Sequence, residues 1–383
     1  MRYLGIWLTV LLAFFDGAAQ AADCGAPPDL GDGWTVAAPE SEGLDPAVLC
    51  AIGPQFDDWK AADVHAVVVI RDGKLVYERY FTGEDDILGY SVGSITFNAT
   101  TKHDERSISK SVTSLLVGIA VDRGWIENIA APVFSFFPEY ADLRTPEKDK
   151  ITLRHLLTMS AGFAWDEESL PYNNYGNSER PMDDAIDPYR YVLSQPMASA
   201  PGEQYNYCGC SAALLGAILK KVSSESLGVL AKAALFAPLG ISDAEWGHPP
   251  GMRGHFENGD VMPHAALRLR PRDLAKIGQM VLDRGTWQGT RIVSSDWIEQ
   301  STSPQINGGS LYFYGYQWWL GRSLAGRREI DWVAGVGLGG QRLYIVPDKR
   351  IVVAVNAGLY NERQPAAVGN IVLNRYVLPA LRN

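Results

Sequence analysis

Along this chain the spacing of apolar positions switches between helical and strand-like, and the switches outline the elements. From Ser107 onward Ile108, Val112, Leu115, Leu116 and Ile119 share one side of a helix, and Gly124 marks its stop. Asp45-Pro46 reads as a capping residue followed by proline at the first helical position, predicting helix over 46–59. Residues 65–81 alternate or run apolar around Asp72-Gly73, the signature of two strands joined by a tight turn. A polar, irregular stretch then leads to Ser107. A short helix is predicted over 151–159, ended by Ser160-Ala161-Gly162, and 166–180 reads as loop, rich in Asn and Tyr. Two further helices fall at 211–222 and 225–236. Another opens at Pro271 with Leu274, Ile277 and Val281 in phase and ends near Gly285. Strands are predicted at 314–320 and 341–355, the latter folded at Asp348-Lys349, and a last helix begins at Pro365.

Strands near both chain ends with a helix-rich middle predict an α+β fold. One antiparallel sheet takes strands from both ends, helices flank it, and a mostly helical subdomain is inserted over about residues 120–270. With 383 residues, 46% of them hydrophobic and 20% charged, the chain suits a single large domain with ample core. No repeats or low-complexity tracts interrupt it.

The first residues read as an export signal. Met1-Arg2 is a short positive start, residues 3–15 are apolar but too short to span a bilayer comfortably, and Ala19-Gln20-Ala21 is a small-x-small cleavage site. This predicts a signal peptide over 1–21 and a soluble mature domain over 22–383, periplasmic or secreted, with no stable membrane anchor. A net charge of -10 argues against nucleic acid as a partner. In an oxidising compartment Cys24 and Cys50 are expected to be bridged, pinning the N-terminal segment. Cys208 and Cys210, one residue apart, are expected to be free and buried. No metal-ligand spacing stands out among the four cysteines and six histidines.

The candidate chemistry begins at Ser107-Ile108-Ser109-Lys110. Residues three apart on a helix lie on one face, about a turn from each other. A serine hydroxyl is a weak nucleophile that needs a base within hydrogen-bond reach. A lysine in a partly dry pocket is expected to lose its preference for charge, so that its pKa falls and it can take the proton. The helix N-terminus adds backbone donors beside a developing oxyanion. Taken alone, the same pattern also fits a helix capped by Ser107 with Lys110 solvated.

Further segments decide between these readings. Arg106 through Ser114, then Ile151 through Gly162, then Pro201-Gly202 before Tyr207, then Arg272-Asp273-Leu274-Ala275, and finally Gly335 through Gln341 occur in the order and spacing of one family. Over about residues 40–380 the chain resembles the serine β-lactamase and penicillin-binding protein superfamily. The likeness is strongest to its class C-like branch of esterases, D-aminopeptidases and 6-aminohexanoate-dimer hydrolases. The resemblance implies the β-lactamase/transpeptidase-like fold. It also implies Ser107 as the acylated nucleophile, Lys110 as its base, and Tyr207, from the Tyr-x-Asn motif, as a proton shuttle. It places the third motif at Gly335-Val336-Gly337, with the backbone N–H groups of Ser107 and Leu338 as the oxyanion hole. Trp165, Tyr172 and Tyr175 fall where related enzymes carry a loop over the pocket. His155 reads as structural, and His248, His255 and His264 lie in a region that rims the site.

Two departures matter. Gly209 replaces the asparagine of the second motif, and Gly335 replaces the cation that holds a β-lactam's carboxylate; Arg322 and Arg342 are the candidate substitutes. The expectation is an exported serine hydrolase that forms an acyl-enzyme and cleaves a small ester or linear amide, with no metal or organic cofactor. The alternatives are a β-lactamase or D-Ala-D-Ala-type peptidase, and, from another class, a non-catalytic binding protein on the same scaffold. The oligomeric state is not legible.

Overall fold

A computed structural model describes residues 24–247, 261–325, 327–360 and 366–382. The signal segment, His248 and His255 lie outside the described residues.

The frame is a nine-stranded sheet. Its strands are β1 (Thr35–Val36), β2 (Val64–Arg71), β3 (Lys74–Tyr80), β4 (Ile306–Asn307), β5 (Phe313–Tyr314), β6 (Trp319–Ala325), β7 (Arg328–Gly337), β8 (Gln341–Val346) and β9 (Ile351–Ala357). The spatial order is β1-β3-β2-β9-β8-β7-β6-β5-β4. Every pairing is antiparallel except β1 with β3. As predicted, strands from the two chain ends meet in mid-sheet, where Ile351 pairs with Arg71 and Val353 with Val69.

The uninterrupted apolar runs of β2 and β9 follow from burial on both faces. Alternate residues sort into two cores. Val68, Ile70, Leu343, Ile345, Val352 and Ala354 face one core, where the helix Pro271–Leu282 contributes Leu274, Ile277 and Met280. Val67, Val69, Tyr344, Val346, Ile351, Val353 and Val355 face the other, which is covered by Leu49, Ile52, Val368 and Val372. A one-residue slip in register would exchange the two sets, so the register is strongly fixed.

The helix Ile108–Asp122 runs through the first core and is buried from Ile108 to Ala120. Two of its buried hydroxyls are satisfied internally: Ser111 donates to the Gln317 carbonyl at 2.7 Å and Thr113 to the Pro263 carbonyl at 2.8 Å. Helix Gly209–Ser223 packs beside it, and helix Leu153–Leu157 packs on that helix in turn. Among the described residues, no helix is long and apolar enough to cross a membrane.

The structure corrects the sequence reading in several places. The stretch before Ser107 is not irregular: strands Thr82–Ile87 and Tyr90–Thr96 form a hairpin, whose largely polar sequence hides it because little of it is buried. The helix over 46–59 splits into Pro46–Leu49 and Ile52–Asp58. The strand over 314–320 is two strands, β5 and β6, and β6 continues into a hairpin with β7. The predicted loop over 166–180 ends in helix, since Glu179 and Arg180 open a helix that runs over Glu179–Asp184. Cys24 and Cys50 are disulfide-bonded as expected. Cys208 and Cys210 are joined as well rather than free. The extended Cys208 precedes the helix start at Gly209, and the turn brings the two Cα atoms to 5.1 Å, within disulfide range.

Candidate active site

Ser107 stands at the N-terminus of the buried helix, partly accessible. The backbone turns sharply into it, because Arg106 has φ 49°, a left-handed conformation unusual for a residue with a side chain. Several contacts hold that turn. The Arg106 N–H donates to Asp104 Oδ1 at 3.0 Å, the Glu105 N–H to the Leu267 carbonyl at 2.8 Å, and the Arg106 guanidinium pairs with Asp86 and with Asp104 Oδ2 at 3.2 Å.

One turn along, the Lys110 ammonium donates to Ser107 Oγ at 3.1 Å and to the His264 carbonyl at 3.1 Å. It lies 4.9 Å from the centre of the Tyr207 ring and 4.0 Å from Glu167 Oε1. This environment reverses the expectation for the lysine. Burial pulls its pKa down, but Tyr207, Glu167 and Glu179 together outweigh burial, and the net shift is upward. Lys110 therefore rests as an ammonium ion. Tyr207 is also raised, first by burial, while Lys110 opposes that shift and hydrogen bonding by Ser107 lowers it further. The resting pair is a lysinium beside a neutral phenol.

The third-motif strand comes up against this helix start. A Cβ at Gly337 would overlap the Glu105 carbonyl, and one at Gly335 would lie 3.1 Å from Ile108 Cγ2. Glycine at both positions lets the end of β7 lie directly on the turn that carries Ser107. Neither candidate arginine supplies a free cation. Arg342 is buried and donates to the carbonyls of Gly337 at 3.2 Å and Gln341 at 2.7 Å. Arg322 is on the surface, paired with Glu329 and Asp331.

These features, a buried lysine on a serine at a helix start with a glycine strand beside them, agree with what comparison with known proteins finds. The sequence model of the Beta-lactamase family matches residues 57–373. The chain belongs to the Beta-lactamase family. It is similar to the 6-aminohexanoate-dimer hydrolase of Paenarthrobacter ureafaciens, 26% identical over 305 residues, covering 74% of this chain and 69% of that one. Esterase EstB of Burkholderia gladioli is 26% identical over 184 residues, 46% of this chain and 45% of that esterase. Among solved structures, a putative 6-aminohexanoate-dimer hydrolase from Bacillus anthracis superposes with a TM-score of 0.65 at 21% identity, covering 84% of this chain and 79% of that one. The fold is thus β-lactamase/transpeptidase-like, and the chain is a serine hydrolase of this family.

Within the family frame, the loop residues separate. Trp165 is buried and donates to Glu167 Oε2 at 2.9 Å, and Tyr172 donates to Glu167 Oε1 at 3.1 Å, so both hold the carboxylate that faces Lys110. Tyr175 does not join them. It is 67% exposed, bonded to Asp184 and stacked with Arg180. His155 completes a capping box with Thr152, a structural role. His264 contributes its backbone carbonyl to Lys110, while its ring meets Asp183 at 3.2 Å.

Sequence reasoning missed Glu167 and Glu179. Glu167 is buried and accepts from the Gly209 N–H at 2.5 Å, from Trp165 and from Tyr172, a set of three donors that suits a carboxylate. Glu179 fills the space a side chain at residue 209 would need: a Cβ there would collide with its Oε2 and lie 3.0 Å from its Cδ. Burial, then Glu167, push Glu179 well above the ordinary carboxylate range. The one available signal was Gly209 itself: a glycine at an asparagine position shows that something else occupies the space.

Proposed function

We propose that this hydrolase forms an acyl-enzyme on Ser107 and cleaves small esters or linear amides after export from the cytoplasm. The observation that carries the mechanism is the Lys110 Nζ to Ser107 Oγ contact of 3.1 Å, with Lys110 lying against the Tyr207 ring. The reactive form is the Lys110–Tyr207 pair after loss of one proton. Because burial, Tyr207, Glu167 and Glu179 leave Lys110 charged on balance, that proton is missing from the phenol, and the phenolate is stabilised by the adjacent ammonium. Ser107 Oγ attacks the substrate carbonyl carbon while its proton passes to the phenolate. The carbonyl oxygen gathers charge beside the Ser107 and Leu338 N–H groups. Collapse of the tetrahedral adduct expels the alcohol or amine, which takes the proton from Tyr207. A water molecule then repeats the sequence on the acyl-enzyme and restores Ser107.

An aromatic wall supports a small, largely uncharged substrate. Trp319 stacks on Tyr207 at 6.2 Å and meets Tyr205 and Tyr314 at 5.8 and 5.1 Å. Gly209 and Gly335 remove the side chains that would hold a β-lactam's amide and carboxylate. Losing one neutral and one charge-assisted contact costs about 1 and about 1.5–3 kcal/mol, on the order of a hundredfold or more together.

The test is labelling and turnover with one purified sample. A fluorophosphonate probe should label the wild type and not Ser107→Ala. Lys110→Ala should lose several orders of magnitude in turnover. Catalytic efficiency should be at least a hundredfold higher on p-nitrophenyl butyrate than on nitrocefin. Full activity in Ser107→Ala would remove the mechanism, and nitrocefin turnover matching the ester would replace the substrate reading with a β-lactamase.

A further inference from the structure

Away from the candidate active site, three elements bring together a cluster the hydrolase mechanism does not use. His65 is on β2, Asp85 on the hairpin Thr82–Ile87, and His103 on the short strand His103–Asp104 that leads to Ser107. Both histidines are fully buried and Asp85 is nearly so. One ligand atom from each lies within 4.8 Å of the others.

The hydrogen bonds around the cluster fix where the protons are. His103 Nδ1 lies 3.0 Å from the Asp104 carbonyl, which can only accept, so this nitrogen carries the hydrogen and His103 Nε2 presents a lone pair. His65 Nε2 lies 3.4 Å from Asp63 Oδ1. That oxygen already accepts from the Glu84 N–H at 3.1 Å, as a carboxylate does. Two glycines hold Asp63 against the ring: a Cβ at Gly83 would overlap Asp63 Oδ1 and come within 2.6 Å of His65 Nε2, and one at Gly358 would overlap Asp63 Oδ2. At 3.4 Å the Asp63 contact is not a hydrogen bond, but a hydrogen on Nε2 turned towards the carboxylate makes His65 Nδ1 the second lone pair. His65 Nδ1 and His103 Nε2 then point at each other across 2.8 Å, with Asp85 Oδ1 3.6 Å from His103 Nε2. The opposite tautomer of His65 would bridge the two rings, and in either one Nε2 is buried without a hydrogen-bond partner. Two converging lone pairs and a carboxylate, sealed beneath the Phe97 ring stacked 4.2 Å from His65, call for a cation.

We propose that His65 Nδ1, His103 Nε2 and Asp85 bind a divalent transition metal ion of the zinc type. A tetrahedral zinc ion with bonds of about 2.0–2.2 Å sets its ligand atoms roughly 3.3 Å apart, between the 2.8 and 3.6 Å found here. The outer contacts follow the pattern of zinc-bound histidines, in which the second ring nitrogen donates to a carboxylate or a backbone carbonyl. Asp63 and the Asp104 carbonyl fill those roles, and Tyr360 donates to Asp85 at 2.9 Å. The ligands are spread over residues 65, 85 and 103, so no local spacing in the sequence reveals them. The ion would tie the central sheet and the polar hairpin to the strand that precedes the strained turn at Arg106, steadying Ser107 from behind without touching substrate.

The test uses the tag-free full chain, stripped with a chelator and titrated with Zn²⁺ and with Co²⁺. We expect one equivalent of Zn²⁺ per chain by calorimetry, a Co²⁺ spectrum of a four-coordinate site, and a metal-dependent rise in melting temperature. Asp85→Asn, which keeps the Tyr360 contact, and His103→Gln should weaken binding at least tenfold. Asp63→Asn should weaken it 10- to 100-fold. His264→Gln, which removes the ring of the other histidine–carboxylate cluster, should bind like wild type. Lack of uptake by the wild type, or equal uptake by Asp85→Asn, overturns the proposal. So does an imidazole ¹⁵N spectrum that shows a proton shared by the two rings and does not change when Zn²⁺ is added.

Discussion

Replacing Glu167 by glutamine isolates the field that sets the protonation of the candidate catalytic pair. Glu167 Oε1 lies 4.0 Å from Lys110 Nζ, and both groups are buried. At that separation an effective dielectric constant of about 20 gives an attraction of about 4 kcal/mol, which at 1.36 kcal/mol per pH unit is a ceiling of about three units. Glutamine keeps one carbonyl oxygen for the Gly209 and Trp165 N–H groups and turns an amide toward Tyr172. Part of the polar environment therefore survives, and the shift should be about one to two units. Its sign is fixed. Glu167 acts to raise both Lys110 and Tyr207, so removing its charge makes the pair release its proton more readily. The rise of kcat/KM with pH, measured on p-nitrophenyl butyrate from about pH 6 to 10 in the wild type and Glu167→Gln, should move to lower pH in the variant. Circular dichroism would establish that the variant is folded. A folded variant whose rise stays in place, or moves to higher pH, refutes the view that Glu167 controls this pair.

Two other predictions concern the space beside Gly209. Gly209→Ala should destabilise the protein by about 1–3 kcal/mol, because its Cβ collides with Glu179. Adding Glu179→Ala should recover much of that loss in a double-mutant cycle by urea denaturation, and strict additivity would count against the collision. Glu179 also has a pH signature. Its folded pKa is raised by burial and then by Glu167, so the folded state holds a proton that the unfolded chain releases. Its contribution is intact below the unfolded pKa and is lost as pH rises through the folded one, with a slope of up to about 1.4 kcal/mol per pH unit. Urea midpoints at pH 5 and 8 should therefore fall more in the wild type than in Glu179→Gln; a steeper fall in the variant would contradict this.

What the sequence shows and what it hides divide on physical grounds. Helix Ile108–Asp122 and strands β2 and β9 are legible because burial imposes a period on their residues. Lys110 and Tyr207 are legible because they stand at fixed distances from recognisable neighbours. The hairpin Thr82–Ile87 with Tyr90–Thr96 is not, since a mostly solvated pair of strands need not alternate. Glu167 and Glu179 are not, because a carboxylate in a polar loop looks solvated until the fold buries it. The pKa of Lys110 went the other way for the same reason: burial was foreseeable from the apolar helix, but the carboxylates that outweigh it were not.

The substitution at residue 209 is therefore an exchange rather than a loss. The family resemblance implies an asparagine there, offering a neutral amide to the substrate. Glycine instead exposes its N–H to Glu167 at 2.5 Å and gives its side-chain volume to Glu179. Two carboxyls cannot both ionise in one buried site at little cost, and burial, then Glu167, raise Glu179 accordingly. The charge of Glu167 faces Lys110, which answers it by remaining an ammonium ion. The substrate contact that the family resemblance implies is thus absent, and the Gly209 N–H instead holds Glu167, which acts to raise Lys110 and Tyr207. That exchange narrows what the pocket can bind by charge and amide pairing. It leaves the chemistry itself intact, because acyl transfer needs the nucleophile, a proton acceptor and two backbone donors, and none of these depends on a side chain at 209. In the reading proposed above, selectivity then falls to an aromatic wall of the partly exposed Tyr205, Tyr207 and Trp319, with Tyr314 buried behind them. Such a wall discriminates by apolar shape, at about 1–3 kcal/mol per methylene gained or lost, and favours a family of similar esters or amides over a single one.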